Sequence, residues 1–127
     1  MSTELARRAA AGDTGPEVAR WIAEAMRRHL SGDDDLEHAF GLDRASRLRE
    51  RNQALRDAAV LLERDDGPWR CALRLEVAVR RFESRIRPLL QRDPYTPLAP
   101  IDEALRRAFD TGQRVPTTAR NLFELIR

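Results

Sequence analysis

Apolar residues in this chain recur at intervals of three and four, never in strict alternation, and glycine or proline stands at nearly every boundary between the runs. That spacing lines side chains along one stripe of a helix, whereas a half-buried strand requires a period of two. No segment has the second period and no internal repeat is present, so the chain is expected to be all-α.

The boundaries follow from the breakers. Residues 2–11 form a short helix with Ser2 as cap and Glu4 four positions before Arg8; it is marginal alone, and 1–15 reads as an N-terminal arm. Thr14-Gly15-Pro16 sets proline at the first position of a helix over 16–30, with Val18, Trp21, Ile22, Ala25, Met26 and Leu30 on one stripe and Gly32 after it. Asp33-Asp34-Asp35 caps the short segment LEHAF, which Gly41 ends. Asp43 caps a long helix over about 44–64, in which Leu48, Leu55 and Leu62 recur every seven residues. Asp65-Asp66-Gly67-Pro68 starts the next helix, expected over 68–87 with a stop near Pro88 and a stripe of Ala72, Leu75, Val79, Phe82 and Ile86. DPYTPLAP, residues 93–100, carries three prolines and reads as an extended crossover rather than a domain linker. Helices at 101–110 and 118–126 complete the chain, the last capped by Thr117 or Thr118. The expected architecture is a compact single-domain bundle of five to seven helices over 1–127, three of them long, with 16–30, 44–64 and 68–87 forming the core.

Composition narrows the class. A hydrophobic content of 42% beside 35% charged residues is that of a globular chain and not a disordered one. No apolar run reaches the ~20 residues of a membrane span, and the first residues lack the apolar stretch of a secretory signal, so no membrane role is expected. One cysteine, Cys71, excludes an internal disulfide and fits a reducing, cytoplasmic setting; beside Ala72 it reads as a small buried hydrophobe. All 23 basic residues are arginine, as a GC-rich prokaryotic genome would write them, which removes lysine chemistry and weakens any argument that arginine was chosen for its geometry. Residues 1–40 carry a net charge of −3, 41–92 carry +5, and 93–127 are balanced.

The basic character therefore sits in the middle, and RLEVAVRRFESRIR, residues 74–87, concentrates it. At about 100° per residue, Arg70, Arg74, Arg81 and Arg85 fall on one line opposite the apolar stripe. Arg80 and Arg87 follow Glu76 and Glu83 by four and are expected to pair with them, whereas Arg74, Arg81 and Arg85 have no acid three or four away. Such a line can meet nucleic-acid phosphates or an acidic protein surface; it can equally be a solvated face, or meet acids on another helix.

Two segments have the outline of a helix-turn-helix. In 36–52, Arg47, Arg49 and Arg51 stud the second helix, but Glu37 and Arg47 occupy positions that such a pair fills with small or aliphatic residues. In 103–126, Ala108 suits close packing, the connection through Arg114 is long, and Arg120 and Asn121 are the candidate contacts. Asp33, Asp35, Glu37 and His38 crowd together, but calcium-loop and zinc spacings are absent and the cluster reads as a helix cap. No metal, cofactor or catalytic set is expected, so the chain is read as non-enzymatic.

The preferred reading is a nucleic-acid-associated regulator that contacts phosphate through Arg70, Arg74, Arg81 and Arg85, with Arg47, Arg49 and Arg51 in support. The alternative is an interaction or inhibitory adaptor whose arginine face docks on an acidic partner, or whose leucine heptad pairs helices in a homodimer. The low net charge of +2 and the sole tyrosine, Tyr95, argue against a strong nucleic-acid binder.

Overall fold

The computed structural model describes residues 1–127 and contains helices and turns but no strand. In chain order the helices are α1 (Ser2–Ala10), α2 (Pro16–Leu30), α3 (Leu36–Ala39), α4 (Arg44–Leu62), α5 (Pro68–Arg81), α6 (Arg87–Arg92), α7 (Pro100–Asp110) and α8 (Ala119–Ile126). A π turn, Phe82–Ile86, joins α5 to α6, so residues 68–92 form one continuous rod. The all-α bundle expected from periodicity is the observed fold. No helix is long and apolar enough to cross a membrane.

The expected caps at Asp35, Asp43 and Thr118 are in place. Asp35 accepts the His38 N–H at 2.8 Å, Asp43 accepts the Ser46 N–H at 3.2 Å, and Thr118 accepts the Asn121 N–H at 3.4 Å. Gly67 opens α5 at φ 92°, a conformation that L side chains rarely adopt, which explains why the break carries glycine. At α1 the cap differs from expectation: Met1 precedes the helix without a side-chain cap, and Glu50 of α4 accepts the Thr3 N–H at 3.1 Å instead. Glu4 pairs with Arg7, not Arg8, which turns to Asp13 and Glu17.

The rod corrects the stop proposed at Pro88. Proline offers no N–H to the carbonyl four residues back and its ring crowds that carbonyl, here Ser84. The chain widens into the π turn just before Pro88, with the Arg87 N–H reaching Phe82 O, and then resumes as α6. The wider turn also shifts every side chain beyond Phe82 out of the α-helical phase. Arg87 accordingly does not pair with Glu83; its guanidinium lies 5.2 Å over the Phe109 ring.

The core is made by α4, the rod, α7 and α8. Leu55, Leu75, Val79, Phe82, Leu105 and Leu122 are its fully buried large side chains. Ala54, Ala58, Ala104 and Ala108 lie almost wholly buried between α4 and α7, and their small size lets these two helices approach closely. Here the expected core needs correction: α2 is not part of it. The α2 helix rests on α1 and α3 and buries only Val18 and Ala25, while Ile22, Met26 and Leu30 remain exposed. The leucine heptad does not offer a free pairing stripe either, because Leu55 is fully buried and Leu62 packs on the same core.

An ion-pair network fastens α1 to the bundle. Arg106 of α7 is only 12% exposed and meets Glu103, Glu4 and Asp110, the last at 2.6 Å. Arg7 lies 3.6 Å from Asp110, and the N-terminal amine lies 3.2 Å from Glu50. With Leu5 buried as well, residues 2–10 are seated on the bundle instead of forming a free arm.

Candidate functional site

The rod carries two apolar stripes. The first, Ala72, Leu75, Val79 and Phe82, is buried. The second, Trp69, Leu73 and Val77, repeats every four residues and faces solvent, with exposures of 47%, 41% and 66%. Three large apolar side chains one turn apart make a continuous ridge, unlike the single exposed hydrophobics that any surface carries. Trp69 is held by an edge-on contact with Phe123 of α8, with ring centroids 5.6 Å apart.

The α8 helix is pinned beside this ridge by polar bonds from α5. The Ala119 N–H donates to Glu76 at 2.6 Å, and Arg80 Nε donates to Thr117 O at 3.2 Å. Arg80 also lies 4.0 Å from Glu76, the local pair expected from the sequence. Arg120 is exposed on α8, three residues before Phe123 and so on the same side of that helix.

The arginine line survives only in part. Arg74 folds back on the α4–α5 connection, donating to both Asp66 oxygens at 2.8 and 2.9 Å and to Leu62 O at 2.9 Å. Asp66 lies eight residues before Arg74, beyond any spacing used to read local pairs. The bond with Arg74 holds the Asp66 carboxyl below its ordinary range. Arg81 is 52% exposed and lies 3.8 Å from the buried Asp102. Arg70 and Arg85 are exposed and make no ion pair, and the π turn moves Arg85 off the line that a uniform helix would give. Arg70 and Arg81 thus border the ridge on α5, Arg85 lies beyond it in the π turn, and Arg74 fastens the α4–α5 connection.

The other candidate residues do not gather there. Arg47 is half-buried, its Nη2 3.6 Å from Glu37 and its Nε buried without a hydrogen-bond partner. Arg49 donates to Ser46 Oγ at 3.0 Å. Arg51 donates to the Arg114 carbonyl at 2.6 Å and to Asn52, and burial works against its charge. Arg47 and Arg51 are therefore tethers between elements. The two helix-turn-helix outlines do not close into packed pairs: α3 packs on α2, α7 on α4, and α8 on α5. Arg114, Arg120 and Asn121 are exposed.

Chemistry-bearing groups elsewhere are structurally engaged. Asp35 accepts both the backbone and the ring nitrogen of His38 as the α3 cap, and that bond raises the His38 pKa. His29 Nδ1 meets the Asp34 carbonyl at 3.1 Å. No group of three or more histidine, cysteine or acidic side chains is arranged to hold a metal ion. Cys71 is buried, its thiol donates to Ala59 O at 3.3 Å, and burial pushes its pKa up. Thiol labelling of the folded protein should therefore be at least about a hundredfold slower than in denaturant. Comparable rates in both states would place the sulfur at the surface.

A reading of one apolar stripe per helix overlooks the ridge. Its signal was legible: Trp69, Leu73 and Val77 repeat at four beside the core stripe. No protein-family model matches the chain, and neither curated proteins nor solved structures yield a match.

Proposed function

We propose that this chain is a non-enzymatic adaptor that docks on an acidic partner protein through the outer face of α5. The observation that carries the reading is the exposed ridge of Trp69, Leu73 and Val77, with exposed Arg70 and Arg81 on the same helix and Arg85 just beyond it in the π turn. Aromatic and arginine side chains around a desolvatable apolar centre are the composition of interaction hot spots. A phosphate-binding face has no use for leucine and valine at its middle. The test is purification from nuclease-treated host extract. A protein retained in stoichiometric amount, and lost when Arg70, Arg81 and Arg85 are changed to glutamate, is the expected result. Retention unaffected by that triple change would end the reading.

Arg70 and Arg85 are exposed and form no close ion pair, which favours nucleic acid as the second reading. If Arg70, Arg81 and Arg85 each neutralise a phosphate, log K should fall against log salt with a slope of about −2.7, or roughly 40-fold between 50 and 200 mM. The adaptor reading expects no retardation of duplex or single strands at physiological salt. Retardation with that slope, abolished by the triple change, would make nucleic acid the partner.

A further inference from the structure

We propose that the Trp69–Leu73–Val77 face receives an amphipathic helix of the partner, with glutamate and aspartate bordering its apolar side. The proposal rests on the adaptor reading and names the element that would dock. The ridge spans nine residues of α5, about 12 Å from the first to the last, and presents one large side chain per turn. That is the repeat of the anchors, three or four residues apart, by which a helix lies along a groove. The chain contains no strand and so has no sheet edge on which an extended peptide could add. Trp69 is already braced by Phe123, which lowers the cost of ordering the aromatic anchor on binding.

Charge selects the occupant. Arg70 and Arg81 are exposed on α5 itself, next to Trp69 and one turn after Val77, and exposed Arg120 stands on α8, which packs against α5. Of the nearby acids, Asp66 is engaged by Arg74, Glu76 by the Ala119 N–H, and Glu124 by Arg127 at 3.0 Å, whereas Glu83, in the π turn beyond the ridge, is exposed and forms no ion pair. A second copy docking by two-fold symmetry would set these arginines against each other. A helix with carboxylates beside its apolar side would meet them with opposite charge.

The probe is a synthetic helical peptide with leucines one turn apart and glutamates on both flanks. One control has the same residues scrambled, and the other has lysine for every glutamate. Trp21→Phe leaves Trp69 as the single indole reporter. The acidic peptide is expected to shift Trp69 emission to the blue and saturate with a Kd on the order of 10–100 μM, at least about tenfold tighter than either control. Leu73→Asp and Val77→Asp, at exposed positions, should keep the helical signal and weaken binding about tenfold or more. Arg70→Ala with Arg81→Ala should weaken it and flatten its salt dependence. Equal binding of the lysine peptide, indifference to both aspartate variants, or no saturation below about 1 mM would overturn the proposal. Dimerisation abolished by Leu73→Asp would also overturn it, making a second copy the occupant. A protein partner that requires the arginines but ignores both aspartate variants would remove the helix proposal and leave the adaptor reading standing.

Discussion

Phe82→Ala is expected to destabilise the protein by about 3–5 kcal/mol, the range for a large aromatic removed from a packed core. Phe82 is 1% exposed and stacks on Phe109 with ring centroids 5.1 Å apart. It stands where α5 passes into the π turn, and Arg87 covers the other partner of the stack. Alanine would therefore leave a cavity and loosen the one aromatic contact that ties the rod to α7. For a chain of this length the loss corresponds to a fall in Tm of roughly 10–20 °C. Phe82→Leu keeps most of the volume and should cost no more than about 2 kcal/mol. Chemical denaturation of the three proteins decides it. A loss below about 1.5 kcal/mol for alanine would mean that the rod and α7 collapse together, or that Phe82 is not a core anchor.

Arg106→Met should have the second largest effect, about 2 kcal/mol, concentrated at the N-terminus. Removing one member of a buried charge cluster leaves the others uncompensated, at a cost of about 3–5 kcal/mol where burial is complete. Here Glu103 and Asp110 are 47% and 35% exposed and can recover part of their hydration, so the expectation is smaller. Burial disfavours ionised Glu4, but Arg7 and Arg106 outweigh it and hold its carboxyl below the ordinary value of 4.5. The hydrogen bond from Arg106 likewise depresses Glu103. Both carboxyls have lower pKa values folded than unfolded, so their contribution is present above pH 4.5 and is lost as pH falls through the folded values. Asp110 runs the other way: burial raises its pKa despite Arg106 and Arg7, so protonating it returns a little stability. The stability gap between wild type and Arg106→Met should thus be widest near neutral pH and close on acidification. Hydrogen exchange should be faster across residues 2–10 in the variant. Unchanged protection there, with a gap that ignores pH, would mean that Leu5 alone holds α1.

Much of the architecture is legible in the sequence. The three-and-four spacing excluded strands, and Asp35, Asp43 and Thr118 cap the helices they were expected to cap, because capping needs only a side chain and an N–H two or three residues on. The membership of the core was less legible. The stripe of α2 reads as strongly as that of α5, yet α2 leaves Ile22, Met26 and Leu30 exposed, since periodicity shows that a helix has an apolar side and not what will cover it.

What the sequence determined by itself is local: helical period, caps, breakers, and the acidic and basic thirds of the chain. What tertiary structure decided is which groups remain free. Arg74 carries no acid within a turn, and the fold spends it on Asp66 across the α4–α5 connection. Arg51 belongs to a basic helix, and the fold turns it onto the Arg114 carbonyl, 63 residues away. The π turn before Pro88 re-phased Arg85 and sent Arg87 to Phe109 instead of Glu83. Ion pairs and exposure depend on distances through space, which the chain sets only when α8 comes to lie beside α5. That packing covers Leu75 and Val79 and leaves Trp69, Leu73 and Val77 at the surface.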